Sequence, residues 1–139
     1  MTTKDVGDIT EAYITAKCLE MGWDVLKPYG DNKPYDLVID KGNGFKKVQI
    51  KSCTKHNGCI VMWLQRVRFN SGKKIKSNYK ENELDYFATW DQETNVCYLI
   101  NGDCGYDKPQ LKLRIDKPKN NQVKGINWAK DFEINAPVA

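Results

Sequence analysis

Between Lys41 and Lys80 the sequence has no aspartate or glutamate, yet those 40 positions hold eleven of the chain's 22 Lys and Arg residues. The other 99 positions carry eleven bases and all 18 acids, so the net charge of +4 conceals a strong segregation. A solvated surface normally mixes its signs. A one-signed field favours a polyanion, because each neutralised phosphate releases condensed counterions; a flexible basic loop with no partner is the plainer alternative. No apolar run approaches the ~20 residues of a membrane-spanning helix, which excludes a helical membrane protein. Met1-Thr2-Thr3-Lys4-Asp5 lacks the apolar region of a secretory signal, so the expectation is a cytoplasmic protein. With a single histidine, His56, and five cysteines lacking any Cys-x-x-Cys spacing, structural zinc and a disulfide framework are also disfavoured; the cysteines read as reduced and structural. A chain of 139 residues is long enough for one core and short for two, so residues 1–139 are expected to form one domain.

What is present reads as a mixed α/β domain. Ile9, Tyr13, Ala16 and Leu19 recur at helical spacing, predicting a helix over Val6–Met21 closed by Gly22, with Glu11 at the rim of the apolar stripe. Strands are expected over 23–28, 35–40, 45–52 and 59–64, then over 86–90, 96–100 and 111–115. Ile126, Trp128 and Phe132 indicate a terminal helix docked on the core, and Trp63, Tyr86, Phe87, Trp90 and Tyr98 read as core aromatics. Gln65–Lys80 carries six bases around Asn70-Ser71-Gly72 and reads as an exposed basic hairpin or long loop.

The second and third strands carry the sharpest chemical inference. Lys41-Gly42-Asn43-Gly44 is a hairpin loop, and pairing Asp40 with Phe45 carries Asp36 back to a position across from Gln49. Lys51 projects from the same side as Gln49. A carboxylate, an amide oxygen and an ammonium would then share one patch. Oxygen donors of this kind suit Mg²⁺, which polarises phosphodiesters and acidifies bound water. Lys51 could orient or help deprotonate the attacking water, or stabilise the transition state, and Glu11 could add a second carboxylate from the helix. On spacing alone, structural roles for these residues are the commoner outcome.

Glu11, Tyr35-Asp36 opening an apolar strand, the Gly42-Asn43-Gly44 hairpin and Gln49-Ile50-Lys51 together resemble the PD-(D/E)XK nuclease superfamily, whose pattern is a helix Glu, an Asp, then (D/E)-x-K on the next strand. Two departures stand out. Residues 34–36 read Pro-Tyr-Asp, and Gln49 replaces the acid of the last motif. The Gln-for-acid pattern is similar to the homing endonucleases of a cyanobacterial group I intron and of phages. Gly7-Asp8-Ile9-Thr10-Glu11, Glu83-Leu84-Asp85-Tyr86-Phe87, Leu111-Lys112-Leu113-Arg114 and Pro118-Lys119-Asn120-Asn121-Gln122 extend the likeness. The resemblance implies a restriction-endonuclease-like core, with a mixed central sheet flanked by helices and an inserted basic β-hairpin. It further implies sequence-specific, Mg²⁺-dependent cleavage of double-stranded DNA (Mn²⁺ substituting), a homodimer or homotetramer, and a bacterial or phage-infected cell. Glu11, Asp36, Gln49 and Lys51 would be catalytic, with Asp36, Gln49 and Glu11 as metal ligands.

The basic stretch agrees with that implication, since a two-stranded ribbon fits the major groove. Arg66 and Arg68 are expected to share a face and reach guanine edges; Lys73, Lys74 and Lys76 suit phosphates, and Asn70 and Lys80 are further DNA candidates. Lys55 and His56 are expected near the scissile strand, with a surface or phosphate-contacting role for His56 favoured over a general base. Asp85 reads as a cap or turn residue. Two rivals remain: a structure-selective nuclease similar to Holliday junction resolvases, and a catalytically degenerate DNA-binding module, motivated by Gln49.

Overall fold

The computed structural model describes residues 1–120 and 124–135. The chain runs α1 (Thr3–Glu20), β1 (Asp24–Leu26), β2 (Leu37–Asp40), β3 (Phe45–Ile50), β4 (Thr54–His56), β5 (Cys59–Trp63), β6 (Arg66–Asn70), β7 (Lys73–Ser77), β8 (Tyr86–Asp91), β9 (Val96–Asn101) and β10 (Gln110–Arg114), with short 3₁₀ turns at Gly102–Cys104 and Ala129–Phe132. Helix α1 begins earlier than its apolar spacing predicts because Thr2 and Asp5 form a reciprocal capping box, with the Thr2 Oγ1 accepting the Asp5 N–H at 3.1 Å and the Asp5 carboxylate accepting the Thr2 N–H at 2.9 Å. It ends as the sequence indicates. Gly22 takes φ +79°, and the N–H groups of Gly22 and Trp23 return to the carbonyls of Leu19 and Cys18.

A five-stranded mixed sheet, ordered β1-β2-β3-β8-β9, forms the centre; β3 and β8 are parallel and the other neighbours antiparallel. A parallel pair needs a long crossover. Residues 51–85 supply it, and they contain the β4–β5 hairpin and the two-stranded β6–β7 ribbon. Strands β10, β5 and β4 make a second, antiparallel sheet. Two apolar clusters result. Ile14 and Cys18 of α1 pack with Leu37, Ile39, Val48, Ile50 and Ala88 on one face of the central sheet. On the other, Phe87, Tyr98 and Ile100 pack with Ile60, Met62, Leu111 and Leu113 of the second sheet. Thus α1 covers one face and the second sheet covers the other. No helix among the described residues is long and apolar enough to cross a membrane.

Several local expectations are corrected. The buried row of α1 is Thr10, Ile14 and Cys18, not Ile9, Tyr13, Ala16 and Leu19. Thr10 tolerates burial because its hydroxyl donates to the Val6 carbonyl at 2.8 Å. Tyr13 instead stacks on Trp90 at the margin (4.0 Å between centroids), and Leu19 is 58% exposed. Trp63 is not a core residue: it ends β5 beyond the residues that β4 covers and is 63% exposed. The terminal segment is a 3₁₀ turn rather than a helix, because its backbone joins the strands on either side, with Asn127 accepting from Arg114 (2.7 Å) and Ile134 donating to Cys97 (2.9 Å). All five cysteines are free. Of the stretch Pro118–Gln122, Asn121 and Gln122 lie outside the described residues.

Gly105 is a tightly packed position of the cluster against the second sheet. A β-carbon there would stand 2.6 Å from the Phe87 ring and 2.7 Å from a Leu64 methyl, both fully buried. Gly105→Ala is therefore expected to destabilise the fold by about 1–3 kcal/mol through overpacking, measured as a lower urea midpoint at unchanged slope.

Candidate active site and nucleic-acid interface

The β2–β3 hairpin has the register read from the sequence: Leu37 pairs with Val48, Val38 with Lys47, Ile39 with Lys46 and Asp40 with Phe45. Its turn works because Gly42 and Gly44 both adopt φ +107°, which lets the Asp40 carboxylate collect their N–H groups at 2.7 and 3.3 Å. The ladder ends at Leu37, one residue before Asp36. There the Asp36 N–H donates to the Val48 carbonyl (2.8 Å) while its carboxylate accepts the Ile50 N–H (2.9 Å). The expected Asp36–Gln49 backbone pair is thus replaced by a contact between the Asp36 side chain and the next residue of β3. Lys51 is fixed by its N–H donating to the Ala88 carbonyl at 2.9 Å, which continues the parallel β3–β8 pairing.

Asp36, Lys51 and Glu11 are brought within electrostatic reach of one another. Burial pushes the Asp36 carboxyl above its ordinary range; the Glu11 charge adds to this, whereas the Ile50 N–H, Lys51 and Lys27 oppose it. Burial holds the Lys51 ammonium below the usual lysine range, with Asp36 opposing and Arg66 reinforcing the shift. Glu11 is half-buried, and one of its carboxylate oxygens accepts from the Lys27 ammonium at 3.0 Å. Gln49 is half-buried between these groups in sequence, and its amide nitrogen points toward the Ile50 carbonyl at 3.5 Å. One Asp36 carboxylate oxygen is engaged by the Ile50 N–H, and Gln49, the residue before Ile50, carries an amide oxygen. The donors are hard oxygens, and no group of three His, Cys, Asp or Glu able to hold a metal exists among the described residues. Oxygen donors of this kind are chemically suited to a divalent cation that retains several waters.

The ribbon divides the remaining candidates. Paired residues project to the same side, so Arg68, Asn70, Lys73 and Ile75 form one face, and Val67, Phe69, Lys74 and Lys76 the other. Arg68, Asn70, Lys73, Lys74 and Lys76 are all exposed, and none has an acidic partner among the described residues. The structure redirects three other cations. Arg66 does not stand free beside Arg68: its guanidinium makes two 2.8 Å bonds to Glu83 and one of 3.1 Å to the Asn78 carbonyl. Lys55 pairs with Asp91 (2.9 Å) and Glu93 (3.1 Å), and Lys80 pairs with Asp107. The acids that capture them all lie beyond the acid-free window, so its local composition gave no sign of the pairing. His56 is exposed on β4, its ring nitrogen 3.1 Å from the Asn57 amide. Nothing in its surroundings marks it as a base.

Sequence reasoning missed Tyr79, Lys27 and Glu83. Tyr79 is 2% exposed, and its ring lies beneath both Lys51 and Arg66 (5.2 and 4.4 Å to the centroid). Its position just past a run of lysines gave it the look of loop. Asp85 is the cap it was expected to be: its carboxylate accepts the Lys47 N–H at 2.8 Å and its N–H donates to the Lys47 carbonyl at 2.9 Å, which binds the start of β8 to β3.

A raised carboxyl predicts a stability trade-off. With its folded-state value above the unfolded one, ionised Asp36 opposes folding once pH exceeds the carboxylate range and has no effect when protonated in both states. Asp36→Asn keeps an acceptor for the Ile50 N–H. It should melt above the wild type at pH 7 without divalent metal, and the gap should close as pH falls below the ordinary carboxylate range, measured by differential scanning calorimetry.

The geometry has counterparts in known proteins. The family model of the PD-(D/E)XK endonucleases matches residues 1–135. Among solved structures, the bacterial homing endonuclease I-Ssp6803I is similar with a TM-score of 0.78 and 28% identity, covering 96% of this chain and 89% of that one. Comparison with curated proteins gives no match. The chain belongs to the PD-(D/E)XK endonuclease family and is a nuclease.

Proposed function

We propose that this nuclease cuts double-stranded DNA at a specific sequence in the manner of a homing endonuclease, using Mg²⁺, with Mn²⁺ as a substitute. One observation carries the specificity: a ribbon of groove-entering shape presents Arg68, Asn70 and Lys73 on one face, with no acidic partner among the described residues. The homing assignment is supported by the likeness to I-Ssp6803I. Asp36 and Gln49 would hold the cation, and Glu11 would bind it directly or through water. When bound, Mg²⁺ supplies Lewis-acid polarisation of the scissile phosphodiester and of water. Lys51 presents its ammonium to the phosphate or to the attacking water and stabilises the charge that develops there. A chain with one such site cuts one strand, so a double-strand break calls for a homodimer or homotetramer, acting in the cytoplasm of a bacterial or phage-infected cell. Lys55, His56, Arg66 and Lys80 remain DNA candidates only if DNA displaces their present partners; Arg68, Asn70, Lys73, Lys74 and Lys76 need no such exchange.

Asp36→Ala and Lys51→Ala should each lower cleavage by at least ~10³-fold while leaving DNA affinity in Ca²⁺ nearly unchanged. Cleavage that survives both substitutions would sink the assignment. The neutral Gln49 favours one second reading, a degenerate binding module, which predicts no turnover at any Mg²⁺ or Mn²⁺ concentration and activity newly gained by Gln49→Glu. On a target selected from random DNA, Arg68→Ala should lose ~1–3 kcal/mol and relax the preference at one base pair, whereas Lys74→Ala should weaken all sequences alike and reduce the salt slope by about 1. Fluorescence anisotropy over a salt series distinguishes these outcomes.

A further inference from the structure

A lysine carries its charge on a flexible four-carbon stem, and fixing the ammonium removes rotamer entropy. Asp36 alone gives Lys51 an attracting charge but no surface to rest on. The surface is Tyr79. Its ring centroid lies 5.2 Å from the Lys51 nitrogen, inside the ~6 Å reach of a cation–π contact. The ring is itself held firmly. Phe87 meets it edge-on at 5.6 Å, and Phe87 is the residue paired with Gln49 across the parallel β3–β8 ladder. Arg66 lies over the same ring at 4.4 Å, locked there by both oxygens of Glu83. The Tyr79 carbonyl accepts the Asp107 N–H at 2.9 Å, which fixes the backbone. Two like charges on one ring would repel, and the Glu83 carboxylate offsets the nearer of them.

We infer that Tyr79 is a positioning residue for Lys51: its ring fixes the ammonium beside Asp36, and the Arg66–Glu83 pair at the foot of the β6–β7 ribbon fixes the ring. The ribbon and the catalytic lysine are thereby set by one platform, since Arg66 opens the ribbon and Tyr79 lies two residues beyond its end. A residue that merely fills the core would act differently, because leucine would fill much of the same space without attracting a cation. The inference rests on the nuclease reading of Lys51.

Two measurements test it. In the free, isotope-labelled protein, the ε-CH₂ resonances of Lys51, assigned through Lys51→Arg, should lie upfield from the ring current; Tyr79→Phe keeps this shift and Tyr79→Leu abolishes it. In single-turnover cleavage of a duplex that the wild type enriches from a random library, Tyr79→Phe should stay within about threefold of wild type and Tyr79→Leu should slow at least ~10-fold, with affinity in Ca²⁺ changed less than about threefold. Glu83→Gln leaves the core intact and should slow cleavage in the same direction with affinity retained. An unshifted Lys51 resonance in the wild type, a Leu variant cleaving at the wild-type rate, or a Phe variant as slow as Leu overturns the inference. If Tyr79→Leu does not fold, Glu83→Gln decides, and an unchanged rate there overturns it. A wild type that cleaves nothing overturns the nuclease reading, which the resonance measurement does not depend on.

Discussion

The hydrogen bond from the Ile50 N–H to the Asp36 carboxylate sets the geometry of everything around it. A two-stranded ladder would ordinarily satisfy that N–H with a main-chain carbonyl. Here a charged side chain takes over as the ladder ends, so the carboxylate is held by the sheet itself rather than by a mobile loop. Midway along β3 the device is repeated, with Asp85 accepting the Lys47 N–H. The strand is therefore gripped by carboxylates at Lys47 and Ile50 and by the parallel β8 over Val48–Ile50. Placement of Gln49 and Lys51 follows from that grip. Burial of an ionised group opposes folding, and the upward shift of Asp36 records that penalty, which the packed clusters on both faces of the sheet must offset.

The charge segregation of the sequence becomes a spatial separation in the fold. Acids that follow the window return in space to cations outside the ribbon tip: Asp91 and Glu93 to Lys55, Glu83 to Arg66, and Asp107 to Lys80. Among the described residues no acid pairs with a cation of the ribbon tip. Neutralisation at the base and none at the tip gives a field that points outward along the ribbon, and low salt would strengthen it. The second face of the ribbon sets Val67 and Phe69, 48% and 74% exposed, beside Lys74 and Lys76.

The legible parts of the sequence were those governed by local rules. The hairpin register followed from an Asp-Lys-Gly-Asn-Gly turn, and four ladder pairs agree with it. The ribbon followed from alternating residues around Asn70-Ser71-Gly72, the helix end from Gly22, and the family from a handful of chemically constrained positions. What was not legible depended on contacts between distant residues. The buried face of α1 turned on a threonine whose hydroxyl is satisfied within its own helix, so a residue read as polar behaves as apolar. Arg66 was assigned to DNA because nothing near it in sequence is acidic, whereas Glu83 reaches it through the fold. The β4 strand, only three residues long, had no periodicity to detect. Tyr79 carried no sign of its position beneath Lys51, because that contact joins the end of the ribbon to the end of β3.

These contacts also give Gln49 a physical rationale. Asp36 already feels burial and the Glu11 charge, and the Lys51 ammonium that opposes them is itself weakened by burial and by Arg66. An acid at position 49 would bring a third carboxylate to a site whose cations are Lys51 and Lys27, raising the repulsion in the metal-free protein. An amide presents the same oxygen to a cation without that charge. The exchange relieves that repulsion in the metal-free fold. On that argument Gln49 is matched to Asp36: the more a hairpin buries its aspartate, the less charge its partner strand can carry.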